Sequence, residues 1–276
     1  MKQEVMKQEN NTVVAVPQPQ QREFDEIVTK DLQIPRILLS QAMSDRVKEK
    51  KCQSGDFILT QGDRILAKEG EELKLIPIKM RAVWVNYDMT TKRGEFKGVE
   101  PRTNANSSLP WQYEFNGKPY KRVQAVEVFG LLPTQILEFS EKVKEAQLSG
   151  EIPDLSMIPT PVGISFQSMS FKFAGKSVAQ FFDQVKSAQF HFKNVRSFSY
   201  VLTLKAMEET SDDGSYYVSK LTNQEQVAKV YGKDKAETIY EACYGLLEKM
   251  NASNIIMDND EVPQATTHTD VVSDLI

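Results

Sequence analysis

The residues with the most chemical potential lie in FQSMSFKFAGKSVAQFF, residues 166–182, which crowds phenylalanines, a methionine and two lysines around Gly175-Lys176-Ser177. Gly-Lys-Ser ends a phosphate-binding loop, whose backbone amides wrap a polyphosphate only when another glycine stands five positions before that triplet's glycine. Ser170 occupies that position, so nucleotide hydrolysis is rejected. A lysine just before a helix start can still hold one backbone phosphate, because the first helical amides are unpaired and the helix dipole favours an anion. Lys176 is a candidate on that ground, and a solvated turn lysine is the plain alternative.

Catalytic chemistry finds little else to work with. The histidines are His191 and His268. His191 alternates with Phe190 and Phe192, which puts it on the opposite side of a strand and makes it a groove or surface histidine before a general base. The chain has no H-E-x-x-H, no Cys-His cluster and no D-x-D-x-D-G set. Cys52 and Cys243 form no metal or redox motif, and both are expected as reduced thiols. The expectation is a protein that is not an enzyme, with no catalytic residue, no metal and no cofactor.

Aromatic and basic residues interleave, and that is the pattern of single-strand recognition: cations follow the phosphates while rings stack on bases. Residues 160–206 hold Lys172, Lys176, Lys186, Lys193, Arg196 and Lys205 against Asp183 alone, with FKFAGK, FHFK and VRSFSY setting rings beside cations. WVNY brings Trp84 and Tyr87, and WQYEFNGKPYKR brings Trp111, Tyr113, Tyr120, Lys121 and Arg122. The nucleic-acid set is therefore Lys172, Lys176, Lys193, Arg196, His191, Trp84, Tyr87, Trp111, Tyr113, Tyr120, Lys121 and Arg122. Any one phenylalanine fills a core more often than it stacks on a base. Trp111, Tyr113 and Tyr120, beside a polar hairpin, are better platforms than Phe181 or Phe182.

These residues must be positioned by strands. ELKLIPIKMRAVWVNYDM, residues 72–89, is the longest strand signal, with a change of apolar parity at Leu75-Ile76 beside Pro77 that suggests a bulge or an edge. WQYEF-NG-KPYKRV predicts a hairpin, because Asn116-Gly117 tolerates positive φ at both turn positions. AVEVFGLL continues as strand, and EFSEKVKEAQLSGEIPD is helical, then loop, an insertion between strands. In 160–206 the pattern predicts strand, helix, strand. Ile164 and Phe166 share one face and Met169, Phe171 and Phe173 share a face after a parity slip, with Lys172 pointing away. Ser177 and Gln180 form a capping box before an amphipathic helix through Val178, Phe181, Phe182 and Val185. SDDGS turns into a second hairpin, and residues 223–250 are mostly helical with a break at Tyr231-Gly232-Lys233. The fold class is mainly β with α additions, α+β.

The bulk numbers bound the rest. A chain of 276 residues, 40% hydrophobic and 26% charged, supports one sizeable core. It has no membrane-length apolar run and no secretory signal, so a cytoplasmic location is expected, the host cytoplasm if the protein is viral. The net charge of -4 hides the basic middle, because residues 251–276 carry Asp258, Asp260, Glu261, Asp270 and Asp274 and no cation. The expected organisation is a disordered arm over 1–20, one binding domain over 21–250, and an acidic disordered tail over 251–276. Asp270, Asp274, Leu275 and Ile276, in the closing VVSDLI, suit a short docking motif for a protein partner.

IPRILLSQAMSDRVKEKKCQSGDF, ELKLIPI and PVGISFQSMSFKFAGKSV together resemble single-stranded DNA-binding proteins of tailed bacteriophages. The likeness covers about residues 31–222. It implies an OB-like β-barrel, with an inserted helix and a C-terminal helix, that binds strands across its face and loops. It implies single-stranded DNA as partner, together with replication or recombination proteins met through the acidic tail. The tail departs from that pattern, with no dense aspartate run and a Leu-Ile end. The expected function is sequence-tolerant binding of single-stranded DNA in phage replication, recombination or repair. The alternatives are a single-strand annealing recombinase, or a phage structural or host-takeover protein that binds another protein. Homo-oligomerisation is left open.

Overall fold

The computed structural model describes residues 31–90, 94–103, 105–106, 110–167, 196–211 and 214–257. Twelve strands and four helices are seen among them. In chain order they are β1 (Asp31–Ile34), β2 (Arg36–Leu39), α1 (Asp45–Lys48), β3 (Phe57–Leu59), β4 (Arg64–Ala67), β5 (Glu72–Asp88), β6 (Glu95–Pro101), β7 (Gln112–Phe115), β8 (Lys118–Leu131), α2 (Pro133–Ser149), β9 (Val162–Gln167), β10 (Tyr200–Ser211), β11 (Gly214–Gln226), α3 (Val227–Tyr231), α4 (Lys233–Ala252) and β12 (Asn254–Met257). β1 and β12 form a parallel pair. The other ten strands form one mixed sheet in the order β11-β10-β5-β8-β9-β2-β3-β4, with β6 beside β5 and β7 beside β8.

β5 is the spine. Leu73 and Leu75 face one side, where they join Val126, Val128, Ile164, Phe166, Leu202, Leu204, Ile37 and Phe57. Ile76 and Ile78 face the other, with Phe129, Leu131, Phe198, Val201 and the helices. The parity change at Leu75-Ile76 is thus two-sided burial, because both faces are covered there. The register shift lies further on, between Pro77 and Lys79. Opposite it stands Gly130, where a Cβ would sit 2.1 Å from the Ile76 carbonyl oxygen, so only glycine admits the backbone approach.

The helical layer covers the second face. α2 supplies Ile136, and α4 supplies Ala236, Ile239, Cys243 and Met250. The expected break in the C-terminal helix is present: α3 ends at Gly232, with φ 80°, and α4 begins at once. Two cations of β5 fasten this layer. Lys79 Nζ donates to the Met250 carbonyl at 3.2 Å. Arg81 Nε donates to the buried Glu127 carboxylate at 2.5 Å, and its Nη1 donates to the Ile255 carbonyl at 3.1 Å.

That last bond corrects the expected tail boundary. Residues 251–257 include the end of α4 and all of β12, which pairs with β1 and buries Ile255. The acidic stretch lies beyond them. The expected 1–20 arm, and the helix over 178–185 with its capping box, lie outside the described residues.

The fold is α+β with an open mixed sheet. Its outer strands, β11 and β4, do not pair with each other among the described residues, so strand pairing does not complete the OB-like barrel there. Side chains nonetheless reach the β11 edge from the ends of β2 and β4. The Gln41 side chain, just after β2, accepts from the Tyr217 amide and donates to the Tyr217 carbonyl, both at 2.9 Å, as a strand would. The Tyr217 hydroxyl donates to Glu69, just after β4, at 2.6 Å. A carboxylate acceptor holds that phenol in its neutral form and pushes its pKa up to about 12.

Candidate nucleic-acid interface

Strands β5 and β8 outrun the helical layer and, with β6 and β7, make a four-stranded arm. β9 pairs with β8 from Ala125 to Gly130, and β7 pairs with β8 from Lys118 to Lys121. The β7–β8 turn is the predicted one. Asn116 and Gly117 have φ of 51° and 71°, and Phe115 pairs with Lys118. Paired positive φ values match the twist of the flanking strands.

Register and alternation sort the arm's side chains into two faces. Asn86 pairs with Arg122 on β8, and Tyr120 pairs with Tyr113 on β7. Asn86, Tyr113, Tyr120 and Arg122 therefore share a face, joined by Trp111 and Phe115 at period two. The contacts agree. Tyr113 stacks on Tyr120 with centroids 5.4 Å apart and planes 24° apart, and Phe115 meets Tyr120 edge to face at 6.1 Å. The Arg122 guanidinium lies 4.2 Å from the Tyr113 centroid and donates to Asn86 Oδ1 at 3.3 Å. It also stands 3.4 Å from Glu100. Trp111 and Phe115 are 46% and 47% exposed.

The sequence set divides accordingly. Trp111, Tyr113, Tyr120 and Arg122 come together, and Phe115 joins them. Its signal was present in the period-two W-x-Y-x-F of residues 111–115. Trp84 is corrected: it lies on the same side but is 2% exposed. Its indole donates to Asn106 at 3.2 Å, and Arg102 sits 5.3 Å from its ring, so no base can reach its faces. Tyr87 and Lys121 pair with each other on the opposite face. Tyr87 packs edge to face with Phe96 there, and burial lowers the Lys121 ammonium pKa. Arg196 caps Tyr244 of α4 at 4.5 Å, on the helical side. Lys172, Lys176, His191, Lys193, Asp270, Asp274, Leu275 and Ile276 lie outside the described residues, as does the assignment of Phe171 and Phe173 to an inward face.

Other chemistry has no comparable arrangement among the described residues. No cluster of three His, Cys, Asp or Glu could hold a metal. A groove of about 510 Å³ between α2 and the α3–α4 junction is lined by Glu141, Lys144, Tyr231, Lys233 and Asp234 among others. It has mixed charge and no paired nucleophile and base. No described helix is long and apolar enough to cross a membrane.

Fold and arm together define an α+β protein built on an open mixed sheet, with an aromatic hairpin projecting from it. The chain belongs to the Pam3 phage gp34-like protein family, whose model matches residues 6–255, and it is therefore a phage protein. Neither the curated proteins nor the solved structures give a match.

Proposed function

We propose that this phage protein binds single-stranded DNA with little regard to sequence, in phage DNA replication, recombination or repair. The observation that carries the reading is the exposed ring pair, Trp111 and Phe115, set on either side of the Tyr113–Tyr120 stack and buttressed by Arg122. Base–aromatic stacking contributes about 1–3 kcal/mol per base and is indifferent to base identity.

Charge divides the labour. On the arm, Arg122 is engaged with Glu100 and Lys97 with Glu95. Phosphate neutralisation then falls to Lys118 and to the basic run that holds Lys172, Lys176 and Lys193. The Tyr217–Glu69 bond, from the β11 edge to the end of β4, supports an OB-like variant closed by a side chain. The acidic tail, with Asp270, Asp274, Leu275 and Ile276, is the proposed contact for partner replication or recombination proteins, in the host cytoplasm. Fluorescence anisotropy with labelled oligonucleotides tests the reading. Single strands should bind more tightly than a duplex of equal length, and affinity should fall steeply between about 50 and 200 mM salt. Equal affinity for the duplex, or no binding at low salt, refutes it.

A further inference from the structure

Resting on the single-strand reading above, we propose that the β7 edge is a register-matched track for an unstacked strand. It takes one nucleotide for every two residues, with one base on Trp111 and another on Phe115.

Same-face residues on a strand lie about 6.7 Å apart. Bases in a duplex rise only about 3.4 Å along each strand. Tyr113 and Phe115 of β7 are thus spaced at twice the duplex step, and Trp111, just before the strand, continues that period, its carbonyl accepting from the Arg122 amide at 2.7 Å. A strand can meet them only if it is stretched until neighbouring bases part. A duplex cannot supply this, because each of its bases is already paired and covered above and below. The middle ring is committed: Tyr113 is stacked on Tyr120 and covered by Arg122. It works as a rigid spacer between two half-exposed platforms. The track spans two nucleotide steps, so the shortest ligand that touches both platforms has three nucleotides. Lys118, exposed on the same face at the turn, stands at the Phe115 end to meet a phosphate. β7 is the outermost described strand of the arm on this side, so a ligand can approach from the open edge.

The chain's two tryptophans make the test specific. Trp84 is buried at 2% and Trp111 is 46% exposed, so a change in tryptophan emission on binding reports Trp111. The full-length protein is titrated with labelled oligothymidylates of one to about eight nucleotides, with anisotropy and tryptophan emission read together. Emission should change with single strands of three or more nucleotides and stay constant with duplex. Trp111→Ala and Phe115→Ala should each weaken binding about 5- to 100-fold, with melting temperature unmoved because both side chains are half exposed. Trp111→Phe should restore most of the affinity and abolish the emission signal. Met43→Ala, an exposed apolar residue outside the arm, should bind like the parent. Anisotropy that reports binding while emission and both alanine variants are unaffected overturns the track and leaves the single-strand reading standing. No binding by anisotropy at low salt overturns both.

Discussion

Replacing Arg81 by methionine removes the cation that fastens β12 and balances Glu127. The Glu127 side chain is 4% exposed and its partner Arg81 33% exposed. Deleting one member of a buried pair costs about 3–5 kcal/mol, because the other charge stays buried without compensation. Water reaches the exposed third of the Arg81 site, which trims that to about 2–3 kcal/mol. The lost bond to the Ile255 carbonyl adds about 1 kcal/mol, for a total of about 3–4 kcal/mol. At about 2–4 °C per kcal/mol for a domain of this size, the melting temperature should drop by about 6–16 °C. Adding Glu127→Leu should recover most of the loss, since an apolar pair no longer strands a charge. A residue of about 1–2 kcal/mol remains, from the Ile255 bond and the contact of Arg81 with Phe129 at 5.2 Å. Urea unfolding followed by circular dichroism gives the double-mutant cycle. The reasoning fails if Arg81→Met costs under about 1 kcal/mol, or if the double variant is no more stable than the single.

Truncation should discriminate between the two parts of the C-terminal segment. Removing residues 258–276 takes away five carboxylates, and low-salt affinity for single strands should rise with melting temperature unchanged. Removing 251–276 also deletes β12 and the buried Ile255, so melting temperature should fall; equal melting of the two truncations would show that β12 contributes nothing. The cysteines should be silent in the folded protein. Burial pushes the Cys243 thiol up to about 12, and burial, then the Asp56 carboxylate, raises Cys52. Both stay protonated at about pH 8, where the thiolate is the reactive form. A maleimide should label neither until denaturant is added, and prompt native labelling of Cys243 would contradict its burial.

Features encoded within a few residues of one another were determined by the sequence alone. Asn116-Gly117 demanded a turn with positive φ, and the structure has it. Residues 72–89 read as one long strand from their apolar alternation, and β5 spans Glu72–Asp88. Gly232 marked the break between two helices, and the segment after β8 read as an inserted helix. Alternation names two faces, but it cannot say which is covered, and that decision is tertiary. The parity change at Leu75-Ile76 suggested a bulge or an edge; a register shift does follow, between Pro77 and Lys79, but the sequence does not reveal that the parity change itself is burial of both faces of β5. Trp84 and Trp111 looked alike as candidates. Arg102 and Asn106 close over one, while the other, just before the outer strand β7, is half exposed. Lys121 and Arg122 are adjacent in the chain, yet they face opposite sides, one desolvated and the other buttressing a tyrosine. The place of residues 254–257 was also tertiary, since Ile255 is held by β1 and Arg81, residues more than 170 positions away. Local propensity cannot register a pairing whose two halves lie at opposite ends of the sequence.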